Sequence, residues 1–484
     1  MKLEDHDINH LRTVIAGFNP GSSSAATRPL SLDELYTPLT HRAALDFERS
    51  LIVGNRGTGK SVWSGALANE DTRKDVAKRY SYDFLKTTEV ELGFHQYAAE
   101  VDGVAPSPKI LSRLLKRGFD SESIWTAVLL KATKIYSSAR IKSDFTELVE
   151  WVEDNPSKCE ALLRKADSSL EKQGKKFILV FDALDRLGKS WEEIRPLTRG
   201  ILTLALGMQG YSCMRAKVFM RTDQYKDSTV FAFPDASKLT ATKVELRWHP
   251  AELYGLFFQQ LHKNPRSESS FAKIYKAVAG MSLRAYSRIE DPDEQRAAFT
   301  LIAGEYMGSD HRRGRTYTWI IDHLADAFQE TTPRSFLVTL QRAASVRQKP
   351  ISTVIDHHGI REGVQSASEI RVEQLSEDYP WIKQVLTDLA GLEVPCSPDS
   401  FVARWRERKT VTEINEIDTD LPGPVELSKS SSDDESLLLD SLKNIGVIEY
   451  RTEIKINMPD IFRVAARIKR RGGVKTPNFS RSGK

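Results

Sequence analysis

Gly54-Asn55-Arg56-Gly57-Thr58-Gly59-Lys60-Ser61 fills every position of the pattern G-x-x-x-x-G-K-[ST]. The pattern needs a strand before it and a helix after it, and both signals are present. Phe47–Val53 turns apolar and β-branched and breaks at Gly54; Ser61–Asn69 has helical character, with Val62, Gly65 and Ala66 small enough to pack on a sheet. Glycines let such a backbone curl until successive N–H groups point inward, and the helix start adds partial positive charge. A triphosphate fits that concavity, with Lys60 reaching the β/γ-phosphates and the Ser61 hydroxyl ligating Mg²⁺.

Such a site needs an acid from the end of a neighbouring strand. Phe177-Ile178-Leu179-Val180-Phe181 is a continuous apolar run closed by Asp182, as expected of a central parallel strand buried on both faces. Asp182 is the candidate metal acid. Asp185 either polarises the attacking water as a general base or caps the next helix. The candidate strand Ala216–Met220 ends in Arg221-Thr222-Asp223. Arg221 either neutralises transition-state charge or is a solvated strand end.

Strands at Phe47–Val53, Val90–Phe94, Phe177–Phe181 and Ala216–Met220 alternate with helical stretches at Ser61–Asn69, Ile124–Ile135, Phe145–Val152 and Glu193–Met208. This predicts an α/β fold with a parallel sheet. Strand signals fade beyond Glu245, where Ala251–His262, Phe271–Val278, Tyr317–Phe328 and Ser335–Val346 read as helices. Polar composition around Pro422-Gly423-Pro424 and Ser428–Ser432 reads as linker. Helix Asp433–Asn444 and strands Val447–Tyr450 and Ile454–Asn457 then resemble the end of a winged helix, with Pro380–Ala390 and Pro398–Arg408 as its earlier helices. The expected domains are an irregular lead-in at 1–40, a P-loop core at 41–245, a helical lid at 246–350, a winged-helix-like domain at 351–470 and a basic tail at 471–484.

The phosphate loop, Asp182–Arg186 and Arg221–Asp223 together resemble the additional-strand P-loop ATPases, a group that includes the AAA+ and STAND proteins. Asp182-Ala183-Leu184-Asp185-Arg186 is similar to the D-D-L-D-R signature of the KAP branch, with Ala183 where a second Asp is usual. Leu246-Arg247-Trp248 resembles the start of a helical lid. Thr332-Pro333-Arg334-Ser335-Phe336 resembles a sensor-2 motif, which implies that Arg334 reaches the γ-phosphate. The resemblance implies ATP and Mg²⁺ as cofactors, an ATP-hydrolysing switch, and self-assembly or a second protein as partner. By analogy it also implies a place in bacterial antiphage defence.

The bulk numbers exclude other classes. Hydrophobic residues make up 40% and charged residues 28%, the balance of a globular chain. No stretch approaches the roughly 18 apolar residues of a membrane span. Cys159, Cys213 and Cys396 lack metal spacing and read as reduced thiols of a cytoplasmic protein. Eight basic residues and no acidic ones lie between Ile461 and Lys484; they exceed the net charge of +4, so the rest of the chain is mildly acidic. This basic end makes a DNA-binding regulator or loader the alternative reading, through non-specific phosphate attraction. A nucleotide-gated scaffold without turnover is the third. Arg312-Arg313-Gly314-Arg315 either binds a neighbour's phosphates or is a solvated loop.

Overall fold

The computed structural model describes residues 2–20, 35–96, 104–135, 144–284, 287–417, 423–424, 426–427, 434–452 and 455–470. The linker at Gly21–Ala26, Pro422, Ser428–Ser432, Asp433, Ile454 and the basic tail at 471–484 lie outside them. The chain divides into two compact units: Ser23–Arg247, and Met1–Ser22 with Trp248–Lys484.

The first unit is an α/β layer structure around a five-stranded sheet. The strands are β1 (Leu51–Gly54), β2 (Glu89–Phe94), β3 (Phe177–Phe181), β4 (Met214–Arg221) and β5 (Val244–Glu245). Their order is β2-β3-β4-β1-β5 and every pairing is parallel. One strand, β4, therefore lies between the strand feeding the phosphate loop and the strand ending at Asp182. That is the arrangement an additional-strand fold implies. β1, β3 and β4 are buried along their whole length, as strands covered on both faces must be. One covering layer packs Trp63, Leu67, Val76 and Tyr80 against Ile52, Ile178, Val180 and Phe219.

β4 starts two residues earlier than the candidate strand Ala216–Met220, because Arg215 finds buried partners as Lys217 does. Lys217 is fully buried and its ammonium donates to the carbonyls of Asp46 and Arg49. Arg215 donates to the carbonyls of Met208 (3.2 Å) and Met214 (2.9 Å) and pairs with Glu48 at 2.9 Å. Buried charge is tolerated only with such partners. Ahead of β1, His41 is buried between two contacts. Its Nδ1 accepts the Trp63 indole N–H at 2.9 Å, so its Nε2 carries the proton donated to the Arg247 carbonyl at 3.0 Å.

The second unit is helical. The expectation of an irregular lead-in fails at Asp5–Ala16, which is an α-helix. Acids in its first turn suit the helix dipole, and Ile8, Leu11, Val14 and Ile15 are buried. Its Arg12 is buried too, donating to the carbonyls of Val354 (2.9 Å), Thr353 (2.8 Å) and Pro350 (2.6 Å). Helices Pro250–Lys263, Glu268–Ala279, Thr316–Leu324 and Pro333–Ala344 fall where the apolar periodicity puts them, and Pro292–Ala303 joins them. Tyr254 is their hub: it stacks on Tyr317 with ring centroids 4.1 Å apart and meets Phe299 and Phe336 edge-on.

The 22-residue helix His357–Asp378 runs against Pro333–Ala344. The approach is close at Gly363, where a Cβ would lie 2.2 Å from the Thr339 carbonyl oxygen. Further on come helices Ile382–Asp388, Pro398–Arg408, Thr410–Asn415 and Asp434–Asn444, then an antiparallel ribbon of Glu449–Thr452 and Lys455–Asn457. The first ribbon strand begins at Glu449 rather than Val447; Val447 and Ile448 are buried ahead of it. Among the described residues no helix is long and apolar enough to cross a membrane.

Candidate phosphate-binding site

Parallel register decides what meets at the carboxyl edge of the sheet, where open α/β sheets bind ligands. Gly54 at the end of β1 lies beside Arg221 at the end of β4, and Val218 of β4 lies beside Phe181, which precedes Asp182. The loop Gly54–Ser61 therefore opens onto the ends of β3 and β4.

Glycine is required within the loop. Gly57 and Gly59 have φ of 82° and 102°, in the left-handed region that L side chains avoid. A Cβ on Gly54 would lie 2.5 Å from the Thr58 hydroxyl, which donates to the Asn55 carbonyl at 2.8 Å. The helix Lys60–Ala68 starts directly from this curl. The Lys60 ammonium donates to the carbonyls of Gly54 and Asn55, both at 2.9 Å, and so holds its charge within the loop.

Asp182 is 2% exposed. Burial pushes its carboxyl above the ordinary value. A hydrogen bond from the Ser61 hydroxyl, the Lys60 charge and the Ala183 backbone N–H pull the other way, while nearby Asp185 adds to the rise. The structure thus brings Ser61 and Asp182 into one hydrogen-bonded pair. A hydroxyl and a carboxylate are the hard oxygen donors Mg²⁺ takes. With the loop's curl and the Lys60 charge beside them, the residues fit a Mg²⁺-bound triphosphate.

The chain turns sharply after Asp182. Ala183 has φ 58° and ψ 44°, a left-handed conformation that costs a residue with a Cβ about 1–2 kcal/mol. This turn aims the short helix Leu184–Arg186 so that Asp185 faces β4. Its Oδ2 lies 3.5 Å from the Arg221 guanidinium and 3.6 Å from Arg186 Nε. Arg221 is 8% exposed and donates twice to Asp223, at 3.0 and 2.8 Å.

Of the sequence-predicted residues, the loop, Asp182, Asp185 and Arg221 gather at one sheet edge. Arg334 belongs to the helical unit, near the start of Pro333–Ala344, where its Nε donates to the Pro20 carbonyl at 2.9 Å. Sequence reasoning assigned no partner to Arg221. Its nearest signal was the Arg-x-Asp spacing, which lets the helical turn after β4 fold Asp223 back on the guanidinium.

No protein-family model matches the chain, and no curated protein does either. Solved structures to which the chain is similar include the ORC2 protein of Aeropyrum pernix in ADPNP-ADP complexes, at 11% identity and TM-score 0.36, covering 85% of this chain and 84% of that one. They also include the ORC1 protein of Aeropyrum pernix in complex with DNA, at 14% identity and TM-score 0.33, covering 94% of both chains. Cdc6p of Pyrobaculum aerophilum follows at 13% identity and TM-score 0.29, covering 95% of both. At these scores the likeness adds nothing to the fold and site, which rest on the chain's own geometry.

Proposed function

We propose that the protein binds and hydrolyses ATP with Mg²⁺ and works as a nucleotide-driven switch. The observation that carries this reading is the Ser61–Asp182 pair beside Lys60, at the mouth of a fully matched phosphate loop. In this reading the backbone N–H groups of Gly54–Ser61 and the Lys60 ammonium hold the phosphates, and Ser61 and Asp182 hold the metal. The metal supplies charge neutralisation on the transferring phosphoryl group. Asp185 orients or deprotonates the attacking water, and Arg221, held by Asp185 and Asp223, carries positive charge toward the leaving phosphate.

Arg334 stays in this reading on the resemblance at Thr332–Phe336 alone, and a role in bacterial defence on family analogy with relatives that carry a trailing winged helix. A lid at 246–350, a winged-helix-like domain at 351–470, a cytoplasmic setting and assembly with itself or a second protein belong to the same proposal. Support for the winged helix comes from the order of three helices, Asp434–Asn444 and the ribbon that follows.

Asp182→Asn tests the metal assignment. It removes the anionic metal ligand while keeping the shape and one acceptor for Ser61. The expected result is phosphate release reduced about 100-fold or more, with metal-free ATP binding nearly intact. Wild-type turnover in the variant would remove Asp182 from the site.

A further inference from the structure

Between β2 and β3 the chain inserts a helix, Pro108–Lys116, that the nucleotide site leaves without a task. Ser107 caps it and Pro108 opens it. Leu111 and Leu114 bury its inner face. Lys109, Arg113 and Lys116 are all exposed. At 3.6 residues per turn these three fall within an arc of about 60°, opposite the leucines. Among the described residues neither Lys109 nor Arg113 has a side-chain hydrogen bond or ion pair, and Lys116 has only the field of Glu193 nearby. No acidic residue occurs from Val104 to Phe119, although the chain outside its basic end is mildly acidic.

We propose that this helix face binds the phosphate backbone of a nucleic acid and signals occupancy to the nucleotide site. Lys109 and Lys116 are separated by about 10 Å along the axis, close to the axial rise of three nucleotide steps on one strand. Three cations thus face about three phosphates. A bilayer is a poor occupant because the apolar side of the helix is already buried in the fold. A protein interface would want a large exposed apolar anchor; among the described residues the exposed large hydrophobic ones, Leu39, Met281, Ile351, Ile370 and Tyr450, all lie on other elements. No aromatic residue interleaves the cations, so bases are not stacked and the recognition is non-specific.

Signalling has a short covalent and hydrogen-bonded route. Ser112, on the flank of the basic face, donates to Glu193 at 2.6 Å, and the other Glu193 oxygen accepts the Lys189 backbone N–H at 3.1 Å. Lys189 belongs to the loop that starts at Asp182 and carries Asp185. A shift of the helix on binding therefore pulls on the segment that aims Asp185 at Arg221. This half of the proposal rests on the ATPase reading; the binding half does not.

The test uses the full chain and labelled 30-nucleotide single strands and duplexes, with binding followed by anisotropy without ATP across a salt series. K109E/R113E/K116E, with an unchanged circular dichroism spectrum, is expected to bind at least tenfold more weakly. Its log–log salt slope should be shallower by about 2 to 3, the single-strand and duplex values for three lost phosphate contacts. The control K158E/K165E/K172E, on the exposed side of helix Pro156–Lys172, is expected to bind within twofold of wild type. Equal losses in both triple variants, no loss in the first, or equal affinity of wild type for polyglutamate would each overturn the binding face. Ser112→Ala is expected to bind oligonucleotide normally but lose its effect on ATP turnover; an unchanged effect would overturn the signalling. A chain that binds oligonucleotide yet releases no phosphate from ATP overturns the ATPase and the signalling together and leaves the binding face standing.

Discussion

His41 carries no part of the phosphate chemistry, yet its protonation state is fixed by its neighbours. Burial lowers its pKa to about 4 from the ordinary 6.5, against the raising effect of its bond to the Arg247 carbonyl. A second ring proton would face the Trp63 indole N–H, which only donates. The unfolded chain then binds the proton more tightly than the folded one. Stability from this site is complete above about pH 6.5 and is lost as pH falls toward 4, by on the order of 3 kcal/mol. Chemical denaturation across that range should show the slope in wild type and a weaker one in His41→Gln; identical slopes would contradict the assignment. Ala183 gives a second prediction. Asn tolerates the left-handed region better than Ala, so Ala183→Asn should raise the unfolding free energy by about 1 kcal/mol, read as a higher urea midpoint at constant m. A lower midpoint would show that the turn is held by something other than its backbone preference.

At the scale of elements, sequence and structure agree where burial is simple. β1 and β3 are runs of apolar residues covered on both faces, and helix Lys60–Ala68 starts where the loop's last glycine ends. Misreadings follow where polar side chains are buried with partners. Arg215 hid the start of β4, because a charge that satisfies a carbonyl looks, in one dimension, like a solvated charge. Asp5–Ala16 was obscured in the same way by its acids and by Arg12, whose partners lie far along the chain. The Asp185–Arg221 contact is legible only after sheet order puts the ends of β3 and β4 side by side. Gly359 and Gly363, a helical turn apart, carry a sequence signal of close helix approach. Gly363→Ala would force a Cβ against the Thr339 carbonyl, and overpacking of this kind costs about 1–3 kcal/mol. Urea unfolding should show that loss, while Gly210→Ala, where a Cβ meets nothing, should be near neutral.

For the whole molecule, connectivity sets a constraint of its own. The sheet unit Ser23–Arg247 is inserted between the first helix of the helical unit and the rest of that unit. Two chain crossings therefore join the units, one at each end of the nucleotide-binding segment, and Arg247 at the second crossing receives the His41 bond. The central claim is that Lys60, drawn into its own loop by two carbonyls, is there to hold a triphosphate during hydrolysis. Phosphate release from ATP with Mg²⁺, by wild type and by Lys60→Ala, tests it most directly. Wild type is expected to turn over with Mg²⁺ and the variant to lose about 100-fold or more; wild-type turnover no faster than that of Lys60→Ala would rule that role out.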